Sequence, residues 1–277
     1  MTRTRQLQRT IPKSGQPIPA IGLGSWQTFD VGRSASDRAP LAAVLKAFVG
    51  FGGAVVDSSP MYGRSEAVLG DLSSQLRLND KLFVATKVFT SGQRRGVAQM
   101  RQSLRRLRRT RIELMQIHNL VDWRTQLATL RAWKAAGTFR YIGVTHYTSS
   151  AFDQLAGVIA AEELDFVQLP YSIIRREAER KLLPLAQKRR VAVLVNRPFE
   201  AGALFARTRG RPIPTFARPF ADSWAQLSLS FILAHPAVTC VLPATSKLAH
   251  LVDNMGAGLK RLPDAAERRK VAALFSS

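Results

Sequence analysis

Three apolar runs in the chain each end on a polar residue that can hold or move a proton. Ala54-Val55-Val56 ends at Asp57, Leu82-Phe83-Val84-Ala85-Thr86 at Lys87, and Leu114-Met115-Gln116-Ile117 at His118, while Tyr62 lies in the loop after Asp57. A carboxylate, an ammonium, an imidazole and a phenol can together form a general-acid set. A phenol with a pKa of about 10 is a poor acid at neutral pH unless its anion is stabilised. An ammonium beside it in a desolvated pocket supplies that stabilisation, a carboxylate balances and orients the ammonium, and an imidazole can direct a hydrogen bond to the oxygen that takes the proton. Singly, each residue also has an ordinary explanation. A strand-end Asp often caps the next helix, a strand-end Lys often snorkels, and a lone His is commonly a hydrogen-bonded structural group. Joint action therefore depends on elements that bring the three run ends to one place.

Short β-branched runs alternate with longer stretches of helical period, the pattern of βα units in a parallel sheet. The runs predict strands over Ile21–Leu23, Ala54–Asp57, Leu82–Lys87, Leu114–His118, Tyr141–Val144, Phe166–Leu169, Val191–Val195 and Thr239–Leu242. Amphipathic segments follow them near Pro40–Phe51, Ser65–Leu76, Gly96–Arg109, Trp123–Ala136, Ser149–Glu162, Arg176–Arg189, Ser223–Leu233 and Leu248–Gly258. Eight such units predict an α/β fold, a (β/α)8 TIM barrel, in which loops at the carboxyl ends of the strands converge over the mouth. Three segments fall outside the alternation. Arg9–Ala20 carries turn residues and reads as a hairpin capping the floor, Phe199–Phe220 as a long loop after the seventh strand, and Pro263–Phe275 as a terminal helix.

The chain has 277 residues and 46% apolar content, which suits one barrel domain over 1–277, with residues 1–14 expected to be flexible. Cys240 is the only cysteine, so no intrachain disulfide or thiolate metal cluster can form, and His118, His146, His235 and His250 lack metal-ligand spacing. No metal site is expected. With no apolar leader after the basic N-terminus and no apolar stretch of membrane length, the expected location is cytoplasmic, without membrane attachment. The net charge is +22, and 31 of the 41 basic residues are Arg. They are scattered apart from one dense stretch, Arg94–Arg111, where Val97, Met100, Leu104 and Leu107 recur at helical spacing and leave the arginines on the solvated face. Without aromatic interleaving the charge does not argue for nucleic-acid binding.

Ordered along the chain, Val55-Val56-Asp57-Ser58-Ser59-Pro60-Met61-Tyr62-Gly63, Ala85-Thr86-Lys87-Val88, Gln116-Ile117-His118-Asn119 and Gly143-Val144-Thr145-His146 resemble four successive signatures of the aldo/keto reductases. The resemblance extends from Ile21-Gly22-Leu23-Gly24-Ser25-Trp26 to Leu242-Pro243-Ala244-Thr245-Ser246-Lys247. It implies reduction of an aldehyde or ketone by hydride transfer, with Tyr62 as proton donor and Asp57, Lys87 and His118 completing the catalytic set. It also implies NADP(H), in preference to NAD(H), extended across the barrel mouth. Matching positions assign Thr145, His146 and Gln168 to the carboxamide, and Arg197, Pro198 and Phe199 to the nicotinamide face. Thr145-His146 replaces the more usual Ser-Asn pair, and Arg197 stands where many members have an aromatic ring. Thr245, Ser246, Lys247, His250 and Asn254 fall where the family holds the 2′-phosphate and adenine. Thr245 and Ser246 are expected to open a helix that favours an anion, and Lys247 is expected to substitute for the usual basic residues, here Ala244 and His250.

Trp26 and Trp123, on loops after the first and fourth strands, are expected to frame an apolar pocket for a small-molecule carbonyl substrate, together with Met61 and Phe199. The chain is expected to act as a monomer. A second reading keeps the fold and the cofactor but makes the protein a redox sensor or partner subunit with little turnover.

Overall fold

The computed structural model describes residues 5–275; residues 1–4, the start of the stretch expected to be flexible, lie outside them. Two strands, β1 (Gln8–Thr10) and β2 (Pro17–Pro19), pair antiparallel as a hairpin, with Gln8 opposite Pro19. From Gln8 onward the N-terminal stretch is therefore held by pairing. There follow β3 (Leu23–Gly24), α1 (Ala35–Gly50), β4 (Val55–Asp57), α2 (Ser65–Gln75), β5 (Phe83–Val88), α3 (Gln93–Arg106), β6 (Ile112–His118) and α4 (Trp123–Ala135). The second half runs β7 (Phe139–Thr145), α5 (Phe152–Ala161), β8 (Phe166–Pro170), α6 (Leu182–Lys188), β9 (Ala192–Asn196), α7 (Ala203–Thr208), α8 (Trp224–Leu233), β10 (Val238–Val241), α9 (Leu248–Gly256) and α10 (Ala265–Ala273).

Strands β3 to β10 lie side by side in chain order, all parallel. The two edges meet. Gly22 N donates to Val241 O at 2.8 Å, Gly24 N to Pro243 O at 2.9 Å, and Val241 N to Ala20 O at 2.9 Å. A Cβ on Gly22 would come within 2.7 Å of Leu242 and 2.9 Å of the Val55 carbonyl, so the closing seam needs glycine there. The ring is the expected (β/α)8 barrel.

Strand periodicity sorts the core into two buried clusters. Val55, Phe83, Ala85, Leu114, Tyr141, Phe166, Ala192, Leu194, Cys240 and Leu242 fill the interior, while Val56, Val84, Met115, Ile142, Val144, Val167, Val193 and Val241 pack outward on the helices. Ile11 and Ile18 of the hairpin join the interior cluster, and Tyr141 Oη donates to Gln16 Oε1 at 2.7 Å, so the hairpin closes the floor. Going up each strand by twos from the interior residues leads to Asp57, Lys87, Gln116, His118, Thr145, Gln168 and Asn196. Polar groups thus crown an apolar plug.

Several boundaries differ from expectation for identifiable reasons. Helix α1 begins at Ala35, before Pro40, because the Ser34 side chain accepts from Asp37 N at 3.1 Å and caps it there. The expected loop over Phe199–Phe220 contains α7, which buries Leu204 and Thr208 one turn apart. Helix α9 starts at Leu248, so Thr245 and Ser246 precede it instead of opening it. The terminal helix α10 starts at a reciprocal cap between Asp264 and Glu267.

Candidate active site

Asp57 and His118 end β4 and β6, and Lys87 is the penultimate residue of β5 between them, so chain order alone places them side by side at the mouth. Lys87 is fully buried, and its ammonium donates to Asp57 Oδ2 at 2.6 Å and to the Ser58 carbonyl at 2.7 Å. It lies 4.9 Å from the centre of the Tyr62 ring. Burial by itself would depress the Lys87 pKa, but the Asp57 carboxylate and Tyr62 outweigh it and raise the value above the ordinary one. The ammonium stays charged. Tyr62 is held by a tight loop: its N–H donates to Ser59 O at 3.0 Å and its carbonyl accepts from Ser65 N at 3.0 Å. Gly63 makes the turn with φ +57°, and a Cβ there would meet the Asp30 carboxyl at 2.2 Å.

The electrostatics correct one expectation. Lys87 does pull the Tyr62 pKa down, but burial pushes it up further, so the phenol titrates above its ordinary range. Tyr62 therefore keeps its proton at neutral pH, with the Lys87 ammonium beside the ring. His118 is driven down to about 3, first by burial and then by the positive charges of Lys87 and His146. It is a neutral imidazole at physiological pH.

Of the residues that fix these four, sequence reasoning assigned Gln168 to the carboxamide and no role to Ser59, Gln116 or Asn196. Ser59 Oγ lies 3.1 Å from His118 Nδ1 and accepts from Met61 N at 3.2 Å. When the Ser59 hydroxyl gives its proton to Nδ1, the His118 hydrogen stands on Nε2. Asp57 Oδ1 accepts from Gln168 Nε2 at 2.8 Å and Gln116 Nε2 at 3.4 Å. Gln168 Oε1 in turn accepts from the Thr145 hydroxyl at 3.1 Å, and Asn196 Nδ2 donates to the His146 carbonyl at 3.2 Å. Phe89 packs against the His118 ring at 5.4 Å between centroids. Gln116 and Asn196 share the inward parity of the strand ends, a signal present in the sequence. Ser59 had no such signal.

Sequence and fold both have counterparts in known proteins. The sequence profile of the Aldo/keto reductase family matches residues 20–269. The chain belongs to the aldo/keto reductase family. It is 27% identical over 256 residues to the methylglyoxal reductase YeaE of Escherichia coli (strain K12), covering 89% of this chain and 88% of that relative. Among solved structures, an aldo/keto reductase from Klebsiella pneumoniae in complex with NADP and acetate matches with a TM-score of 0.78 at 23% identity, over 97% of this chain and 95% of that one. The holo form of aldo-keto reductase AKR11C1 from Bacillus halodurans matches with a TM-score of 0.76 at 22% identity, over 98% and 96%. Both are likenesses of fold.

Within this aldo/keto reductase, the remaining expected site residues divide into two groups. Thr145, His146 and Gln168 join the Asp57 network at the mouth. The His146 Nδ1 accepts from Thr148 N at 3.2 Å, and Tyr147 stacks on its ring, 3° from coplanar. Arg197 sits in the left-handed region at φ +53°, its guanidinium 3.7 Å from Glu200. Pro198 gives its carbonyl to Ser228 Oγ at 3.1 Å, and Phe199 packs on Phe205 at 5.0 Å and on the outer core. Among the described residues, the second group, after β10, makes no hydrogen bond or ion pair with the first. The Thr245 hydroxyl accepts from Lys247 N at 3.0 Å; Ser246, Lys247 and His250 are exposed and Asn254 is buried. Trp26 is 46% exposed and Met61 49%, whereas Trp123 packs on the core under the Arg124 guanidinium.

Proposed function

We propose that this chain reduces an aldehyde or ketone to its alcohol with NADPH, and that Tyr62 delivers the proton. The observation that carries the reading is Lys87, fully buried between Asp57 and the Tyr62 ring. An ammonium costs several kcal/mol to bury; Asp57 offsets that cost in the resting protein, and the same ammonium beside the Tyr62 ring can stabilise a phenolate formed there. The cofactor fits the residues present: buried Asn196 Oδ1 has no hydrogen-bond partner among the described residues, within reach of Gln168, and would accept from a carboxamide. Thr145 keeps its acceptor lone pairs and Gln168 a second N–H for the same group. Lys247 and His250 are the candidates for the 2′-phosphate. When bound, NADPH supplies the hydride.

The chain's own residues do the rest. His118 presents its Nε2–H to the carbonyl oxygen and orients it. As charge builds on that oxygen, Tyr62 Oη transfers its proton, and the phenolate is stabilised by Lys87 while Asp57 keeps the ammonium aimed. Gln116 and Gln168 fix Asp57. Trp26 and Met61 offer apolar surface to the substrate, and the small dicarbonyl in the name of the Escherichia coli relative makes methylglyoxal the first substrate to test. We also read the enzyme as a cytoplasmic, single-domain monomer that binds neither membrane nor nucleic acid. In support, Cys240 is buried in the barrel, and among the described residues no helix is long and apolar enough to cross a membrane.

Replacing Tyr62 by Phe tests the assignment. Turnover of NADPH with methylglyoxal should fall by about 10²–10⁴-fold, the usual worth of a positioned general acid, while NADPH affinity in a fluorescence titration stays near wild type. Undiminished turnover would overturn it.

A further inference from the structure

The one dense basic stretch of the sequence ends in a place the catalytic reading does not use. A groove of about 720 Å³ crosses the outer wall of the barrel between α1, α2 and α3. It is lined by Arg33, Arg38, Arg105, Arg106 and Arg108 around Asp71, with Ala67 as the only apolar residue. Five guanidinium groups face one carboxylate at the rim. Counting Glu66, buried 3.6 Å behind Arg106, the balance is still +3.

The arrangement is held in place. Asp71 accepts from Arg38 Nη1 at 2.8 Å with one oxygen and pairs with Arg108 Nη2 at 2.7 Å with the other, which sets two guanidinium forks on opposite walls. Those two partners hold its carboxyl below the usual range despite some burial, so the clamp persists at mildly acidic pH. Arg33 and Arg105 make no ion pair among the described residues. Like charges gathered this closely are costly unless an anion shares them.

The lining also says what kind of anion fits. Guanidinium forks match phosphate oxygens bidentately. A nucleobase needs an aromatic or broad apolar face to stack on, and the groove has none. The volume lies within the range of small-ligand sites, about 300–1,000 Å³, and arginines on both sides of Asp71 suit a chain of charges better than a single ion. We propose that the groove over α2 walled by Arg33, Arg38, Arg105, Arg106 and Arg108 binds a short phosphoanhydride chain. Inorganic tripolyphosphate and the triphosphate of a nucleotide share that chemistry. The groove recognises the phosphates, and a base adds nothing.

The test is calorimetric titration of the full chain, saturated with NADP⁺ so that its own phosphate site is filled, at about 50 mM salt where charge contacts are strong. The probes are sodium tripolyphosphate, ATP and a duplex oligonucleotide. Arg33 and Arg105 are exposed and unpaired, so the double variant Arg33→Ala/Arg105→Ala should fold normally; Arg207→Ala/Arg209→Ala, exposed residues elsewhere, removes the same charge. Tripolyphosphate should bind one site, about tenfold or more weaker in the groove variant and unchanged in the control. ATP should bind no tighter than tripolyphosphate. The proposal fails if tripolyphosphate does not bind, if both variants lose equally, if ATP gains strongly from its base, or if the duplex competes through Arg33 and Arg105. None of these outcomes touches the catalytic reading, which the Tyr62 variant tests separately.

Discussion

At the scale of single residues, the site works by keeping three protonation states fixed through the working range. His118, with a pKa of about 3, carries no charge at any pH above about 5, so no limb near pH 6.5 should appear in the pH dependence of kcat/KM. As the proposed proton donor Tyr62 must be protonated, and burial holds its pKa above the ordinary phenol value. Activity should therefore hold from mildly acidic to mildly alkaline pH and fall only as pH rises through the phenol's titration. In Lys87→Met the phenol loses its cationic neighbour, its pKa rises further, and the alkaline fall should move up or vanish while the plateau rate drops. A profile identical to wild type would separate Lys87 from Tyr62. Ser59 makes a second prediction at this scale. Ser59→Ala frees His118 Nδ1 and lets the ring hydrogen divide between its nitrogens, so kcat/KM for the carbonyl should drop about tenfold with NADPH affinity retained. Nitrogen NMR of the imidazole should show one tautomer in wild type and a mixture in the variant; one tautomer in both would mean that Ser59 does not set it. Of these residues, Asp57, Lys87 and His118 were legible because titratable groups ending apolar runs are uncommon, and Tyr62 because it closely follows Asp57 within the stretch Val55 to Gly63. Ser59 was not, because a serine in a turn has many ordinary uses.

Among the elements, the strands were legible and the helix starts less so. Each strand alternates inward and outward residues, which is why the paths from Phe83 to Lys87 and from Leu114 to His118 can be followed in the sequence itself. Helix α1 was misplaced because Pro40 resembles a first-turn proline, and the cap that decides the matter, Ser34, is a single weak signal. Between α2 and β5, Glu66 couples the helix to the strand that carries Lys87: its Oε1 accepts from the Thr86 hydroxyl at 2.7 Å, and its Oε2 faces Arg106 at 3.6 Å, long for a hydrogen bond. Burial raises its pKa above the ordinary value. A raised carboxyl pKa favours the protonated form in the fold, so its contribution to stability is complete below about pH 4.5 and is lost as pH rises through the folded-state value. Glu66→Gln keeps the acceptor for Thr86 and removes the titration. Its melting temperature relative to wild type should improve from pH 5 to pH 8. A constant difference would show that Glu66 carries no linked proton.

For the whole molecule, fold class was legible from the count of βα units. The groove over α2 was not, since residues 33 to 108 share no sequence pattern and only the packing of three helices gathers their arginines. The hairpin at the other end has a different outcome. With Ile11 and Ile18 packed under the interior cluster and Tyr141 bonded to Gln16, the barrel has a floor, and with polar groups only at the rim it is a cup with one lip. Carbonyl and alcohol must pass the same lip in opposite directions, and neither can leave while the other stands there. Alcohol product added to the assay should therefore raise the apparent KM of the carbonyl when NADPH is saturating. An apparent KM unchanged by the alcohol would mean that the two do not compete for one place at the lip. The cup leaves substrate and product one shared way in and out.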